Sequence, residues 1–241
     1  MNLAIDIGNT RVKTGVFDRN ELVDAQVYDN AERISLQSLI DDNGVTHVII
    51  ASTGAEIDTD LVHAPGVLLR FSSMTPIPIE NEYKTPETLG QDRIAGMVAA
   101  AWMYPGSHVL VIDAGTCITY DFLERSGKFI GGNIAPGLDM RYTAMHHFTE
   151  RLPSVERSNN GSLLGKTTQE AMQNGGLMGV LMEIAGYMEI LRSKYDTITT
   201  VLTGGDASFL ASHLNMALNV QPHLILIGLN QILQFNVAKY N

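Results

Sequence analysis

The sequence predicts an α/β protein built as two halves, each with a mixed sheet flanked by helices and the two facing a shared cleft. Three observations predict it. A strand, Asp-x-Gly turn, strand pattern occurs twice, as LAIDIGNTRVKTG over 3–15 and as LVIDAGTCITYD over 110–121. Apolar strands come first as a meander and then alternate with helices, the signature of a mixed sheet. A chain of 241 residues suits one large domain or two small ones. The repeat favours two, divided as 1–106 and 107–241.

In the first pattern an apolar run ends in Asp6, a tight turn follows at Gly8, and a second apolar alternation leaves through Val12, Gly15 and Val16. Gly8 is expected to leave its amide uncovered, so that a phosphate can approach the main chain. Asn9 and Thr10 offer side-chain donors, and Lys13 offers a compact positive charge. Alone, the stretch reads equally as a hairpin with a polar tip. Its recurrence around Asp113, Gly115 and Thr116, with Asp, Gly and hydroxyl in the same order, is what favours a paired device.

Glu21 to Tyr28 extends the hairpin into a meander. Arg33 to Asp42 carries apolar residues at helical spacing and stops at Asn43-Gly44. His47–Ala51 and Gly66–Phe71 read as strands, and Ser72 to Pro86, with three prolines, as an ordered loop. Gly90-Gln91-Asp92-Arg93 opens a helix that ends before Pro105-Gly106. Asp92 suits an N-cap. It also suits a carboxylate aimed into a cleft to accept a hydroxyl proton, with Arg93 beside it to hold an anion.

Lys128 to Ala135 predicts a strand and Leu138 to Phe148 a helix. The adjacent His146 and His147 point about 100° apart on a helix, poor geometry for one metal, so they read as surface residues. Glu150 to Leu164 is polar and irregular. Gly165-Lys166-Thr167-Thr168 begins a long helix whose apolar side, including Leu177, Leu181, Ile184 and Met188, suits either core or a dimer interface. Thr199–Thr203 is a strand running into Gly204-Gly205-Asp206-Ala207 and a short helix. That is either a plain turn or a place where a flat ring or phosphate lies on bare backbone. Leu224 to Val237 is the last helix.

The net charge of −10 disfavours a nucleic-acid or anionic-membrane partner. One cysteine rules out an internal disulfide framework, and Cys117, inside a predicted strand, reads as a small buried filler. No basic-then-apolar leader is visible, and the apolar stretch near 177–191 is broken by Glu183 and Glu189, so a cytoplasmic protein is expected. Asn160-Gly161-Ser162 fits a glycosylation sequon but marks only a loop.

The order DxGNTxxKxG, GxDR, DxGTxxTxD, GGxIxPG and TGGDA resembles the acetate and sugar kinase, actin and heat-shock ATPase superfamily. Within it the chain looks most like the type III pantothenate kinases, through nearly its whole length. The resemblance implies two ribonuclease H-like halves with ATP between them, usually in a homodimer. It implies that Asp6, Ile7, Gly8, Asn9, Thr10, Arg11, Val12 and Lys13 form the first phosphate loop, with Mg2+ near Asp6 through water. Asp113 matches a monovalent-cation ligand (K+ or NH4+), Thr116 an ATP contact, and Gly204 and Gly205 the flanks of the adenosine. Tyr83, Gly90, Gln91, Asp92 and Arg93 match pantothenate-binding residues, with Asp92 as proton acceptor, and Thr168 a further substrate contact. Cys117 stands where alanine is common, Thr168 sits in GKTT where many relatives have GKNT, and the 159–162 loop lacks the usual proline. The rival readings are a kinase of another small hydroxylated acid or sugar and a nucleotide-gated regulatory protein.

Overall fold

The computed structural model describes residues 1–29, 35–52, 62–159 and 162–239. The expected helix start at Arg33 and the Asn160-Gly161 part of the sequon lie outside them. The first sheet has the order β3-β2-β1-β4-β5, from β1 (Asn2–Ile7), β2 (Arg11–Asp18), β3 (Glu21–Asp29), β4 (His47–Ser52) and β5 (Leu68–Arg70). β1 pairs antiparallel with β2 and parallel with β4, so the sheet is mixed and β1 is central. Burial follows: Leu3, Ala4, Ile5 and Ile7 are almost wholly covered, and Leu3, Ile5 and Ile7 form one core with Val12, Val48 and Ile50.

The second sheet has the order β11-β10-β7-β8-β9-β6. It is built from β6 (Glu80–Asn81), β7 (His108–Ala114), β8 (Cys117–Leu123), β9 (Lys128–Pro136), β10 (Ile198–Thr203) and β11 (Asn219–Val220). Read from β9 to β11, its order 9-8-7-10-11 repeats the 3-2-1-4-5 of the first sheet. The two look-alike turns therefore join corresponding strands: β1 to β2, and β7 to β8. β6 lies within the proline-rich stretch expected to be loop; it is two residues long and pairs with β9 through Glu80–Lys128 and Asn81–Phe129.

Six helices accompany the sheets among the described residues: α1 (Leu36–Asp42), α2 (Gln91–Met103), α3 (Leu138–His147), α4 (Thr168–Lys194), α5 (Ala207–His213) and α6 (Leu224–Val237). The chain forms two compact units. One holds Met1–Gly106, Leu123–Gly131 and His223–Asn241, the other Ser107–Phe122 and Gly132–Pro222. So α6, last in the chain, packs in the same unit as β1, against α2 and the first sheet. It is apolar nearly all round, and its buried Asn230 is satisfied by donating to Arg19 O and accepting from Asn2 Nδ2, each at 2.8–2.9 Å. In the other unit β7, β8, α3, α4 and β10 share a core that includes Leu110, Ile112, Ile118, Leu138, Leu177, Ile184 and Leu202.

Candidate active site

Asp6 is the penultimate residue of the central strand of the first sheet and is 6% exposed, and its partner across the β1–β2 ladder is Lys13. Residues directly opposite on an antiparallel pair project to the same face, so both side chains leave one face of the sheet beside the turn. The turn itself corrects one expectation. The Gly8 amide donates to Arg11 O at 3.0 Å, closing the hairpin, and is not available to a phosphate. Asn9 and Thr10 at its tip are exposed, whereas the Ile7 and Val12 side chains lie in the core, so these two can meet a ligand only through backbone. Arg11 pairs with Asp29 at 3.7 Å, both largely exposed, a contact worth little.

Gly90 to Arg93 are brought to the same place. Ser52 is the ladder partner of Ile7, and its amide donates to Gln91 Oε1 at 2.9 Å, which ties the start of α2 one rung from the first turn. Asp92 is not the N-cap: Gly90 holds that position and Asp92 lies in the first helical turn, where the helix dipole favours a negative charge. Its Oδ1 accepts from the Arg93 amide at 2.8 Å and lies 2.4 Å from where a Cβ on residue 90 would sit, so only glycine admits that carboxylate orientation. Arg93 is buried, with its guanidinium carbon 5.3 Å from the Tyr83 ring centre; that ring stacks on Phe129.

The other compact unit gathers the second turn. Here the loop is one residue shorter, with Gly115 N–H donating to Cys117 O at 2.9 Å. Cys117 begins β8 half-buried, rather than as the buried filler expected. Gly204, at φ +95°, passes so close that a Cβ there would lie 2.2 Å from Ala114 O and 2.4 Å from Asp113 Oδ1. On the same flank Asp206 N–H donates to Ala114 O at 2.9 Å. On the other flank Gly137 N–H donates to Thr116 O at 3.1 Å. Gly205 has nothing within 4 Å of its own would-be Cβ and offers open backbone. Thus Asp113, Thr116, Gly204 and Gly205 converge.

Thr168 opens α4 exposed. Its neighbour Thr167 is the N-cap, accepting from Glu170 N at 3.2 Å, while Glu170 Oε2 accepts from Lys166 N at 2.7 Å. The Thr167 half is that of a capping box, legible as T-x-x-E but missed in the sequence, while Glu170 reaches one residue further back, to the Lys166 amide. Sequence reasoning also missed Arg157, which lies in the polar 150–164 stretch and pairs with both Asp139 and Asp206. Its partners are 18 and 49 residues away, and no local spacing announces them.

Among the described residues no three or more His, Cys, Asp or Glu side chains cluster to hold a metal by themselves. A magnesium ion bound mainly through phosphates and water needs only one or two carboxylates, and Asp6 fits that role. For a monovalent cation, the cradle left by the missing Cβ of Gly204 sets a carboxylate oxygen of Asp113 beside the Ala114 carbonyl, a suitable oxygen pair. A separate hollow of about 370 Å³ is lined by Pro78, Trp102, Phe235 and neighbours with no charged side chain, so it does not suit a polyphosphate.

A family profile described as type III pantothenate kinase matches residues 2–190. The chain belongs to the type III pantothenate kinase family. A type III pantothenate kinase from Phocaeicola vulgatus is 41% identical over 239 residues, covering 98% of this chain and 99% of that one. Among solved structures, a Campylobacter jejuni protein described as a Baf family transcriptional activator aligns with a TM-score of 0.63 at 21% identity, covering 97% and 98% of the two chains. The activator of 2-hydroxyisocaproyl-CoA dehydratase from Clostridium difficile, with ADPNP bound, aligns at 0.58 and 12% identity over 99% and 96%. At those identities the likeness is one of fold. Family membership makes the chain a phosphotransferase that uses ATP with a divalent metal to phosphorylate pantothenate on the way to coenzyme A. No helix among the described residues is long and apolar enough to cross a membrane.

Proposed function

We propose that Asp92 is the proton acceptor in this reaction. The observation that carries the reading is the Ser52–Gln91 hydrogen bond, which sets the first turn of α2 one ladder rung from the Asp6–Lys13 pair. The primary hydroxyl oxygen of pantothenate forms a bond to the γ-phosphorus, the bond from that phosphorus to the ADP oxygen breaks, and the hydroxyl proton passes to Asp92. Such a transfer needs alignment and charge neutralisation more than covalent help. A carboxylate placed this way is typically worth about 10²–10⁴-fold.

The other roles follow the same reading. Tyr83, Gly90, Gln91, Arg93 and Thr168 hold pantothenate, with Arg93 facing its carboxylate. Asp6 to Lys13 and Thr116 hold the triphosphate, and Gly204 and Gly205 flank the adenosine. Magnesium sits near Asp6 through water, and K+ or NH4+ at Asp113; when bound, the two ions offset charge on the polyphosphate. Residues 1–106 and 107–241 each supply one phosphate turn to a nucleotide cleft. A homodimer is supported by the exposed side of α4, where Met182 and Ile190 are each 57% exposed around an open Gly186; sedimentation velocity reads it.

The test is Asp92→Asn. Turnover of ATP with pantothenate falls by at least about a hundredfold while nucleotide affinity, measured by calorimetry, stays at the wild-type value. Near-normal turnover by that variant removes Asp92 from the mechanism.

A further inference from the structure

The geometry points to Arg157 as a positioning residue for nucleotide binding, one that locks together the two flanks gripping the 113–116 turn. The inference rests on the nucleotide reading of that turn given above. Arg157 Nε and Nη2 meet Asp139 Oδ1 and Oδ2 at 2.5 and 2.7 Å, and Nη1 and Nη2 meet Asp206 Oδ1 and Oδ2 at 2.5 and 3.0 Å. A planar guanidinium engages two carboxylates in this forked way, and a lysine does not. Each carboxylate leads back to the turn by a short path. Asp139 lies in the first turn of α3, two residues beyond Gly137, whose amide donates to Thr116 O. Asp206 is the N-cap residue of α5, and its own amide donates to Ala114 O. One side chain thus closes a ring of contacts around Asp113, Gly115 and Thr116, and fixes how near Gly204 and Gly205 stand to them.

The same contacts neutralise Asp139 and Asp206, two negative charges beside a turn that has to receive a polyanion. The Asp206 side chain is only 10% exposed, so water would screen it poorly without Arg157. The hydrogen bond to Asp139, ahead of that to Asp206, raises the guanidinium pKa further above its already high value, so the clamp stays charged at every working pH. Arg157 also anchors residues 150–159, which meet their surroundings through contacts such as Gln173 Nε2 donating to Glu156 O at 2.8 Å.

The experiment compares wild type, Arg157→Met, Arg157→Lys and Asp139→Asn by calorimetry with Mg·ATP and by steady-state kinetics. In Arg157→Met the dissociation constant and KM for ATP rise about tenfold or more, as loss of charge-assisted hydrogen bonds implies, with Arg157→Lys recovering part of the loss. At saturating ATP, kcat and the KM for pantothenate stay within about threefold of wild type, the split that separates a positioning effect from general damage. A folded Arg157→Met variant with a lowered Tm and unchanged ATP affinity overturns the inference. Should that variant fail to fold, Asp139→Asn decides: its carboxylate is 66% exposed, its loss strands no buried charge, and wild-type ATP affinity there overturns the inference equally. Wild-type protein that binds ATP but releases no pantothenate-dependent ADP overturns the kinase assignment instead, and leaves the affinity comparison to judge Arg157.

Discussion

Gly90 and Asp92 are separated by one residue, and the first is the space the second occupies. A Cβ at residue 90 would sit 2.4 Å from Asp92 Oδ1, so Gly90→Ala forces the carboxylate out of its bond with the Arg93 amide. The helix itself loses little, because Gly90 has ordinary negative φ, −55°, at the N-cap, where alanine costs about 1 kcal/mol or less relative to glycine. Gly90→Ala is therefore expected to lower kcat by about tenfold or more through misplacement of the acceptor, with a Tm within about 4 °C of wild type. Matching losses in Tm and kcat would show that residue 90 supports only the fold. Asp92 itself was legible from the sequence as a helix-start carboxylate with two readings, and the capping one falls because Gly90 takes the cap. The fate of the Gly8 amide was not legible, since a hairpin glycine serves a ligand or its own turn equally well by sequence.

Among the elements, α2 and α6 pack tightly at Gly228. A Cβ on Gly228 would lie 1.8 Å from Ala95 O, a collision with backbone that no rotamer relieves. Alanine is favoured over glycine inside a helix by about 1 kcal/mol, but separating two packed helices costs about 1–3 kcal/mol or more, so the collision wins. Gly228→Ala is expected to lower Tm by about 3–8 °C in a thermal scan followed by circular dichroism. A raised Tm would mean that the helices slide apart freely. Long elements such as α2, α4, α6, β1 and β7 were readable because each carries its own apolar periodicity. β6 and β11 were not: each is two residues long and exists only because a distant strand offers a ladder. The start of α4 was readable in principle, as Thr167-x-x-Glu170, and the Arg157 clamp was not, since its partners come together only when three elements do.

At the scale of the whole molecule, the repeated strand order of the two sheets explains why one Asp-x-Gly turn appears twice. The sequence repeat marked the corresponding strands, while the addition of β6 and the return of α6 to the N-terminal unit left no local mark. Stability at high pH is also a property of the whole. Burial first, then the Glu183 carboxylate beside it, raises the Tyr120 pKa far above its ordinary value of 10.0. The folded chain therefore keeps a proton that the unfolded chain loses, and this contribution is complete below about pH 10 and is lost as pH rises beyond it. Between about pH 10 and 12 the wild type is expected to lose up to about 1.4 kcal/mol per pH unit from this group alone. Tyr120→Phe, though less stable at neutral pH, should show the shallower alkaline decline in Tm; identical slopes would sink the assignment.

β1 is made long before α6, yet the two pack in one unit. At ordinary synthesis rates of about 5–20 residues per second, the nascent N-terminal segment waits roughly ten to forty seconds for the helix that covers it. From its own synthesis until that of α6, the greasy flank of α2 stands bare, a target for holdases and for misassembly between neighbouring chains. The lone Trp102, which lines one hollow with Phe235 of α6 in the folded chain, is placed to report by its emission the moment of closure.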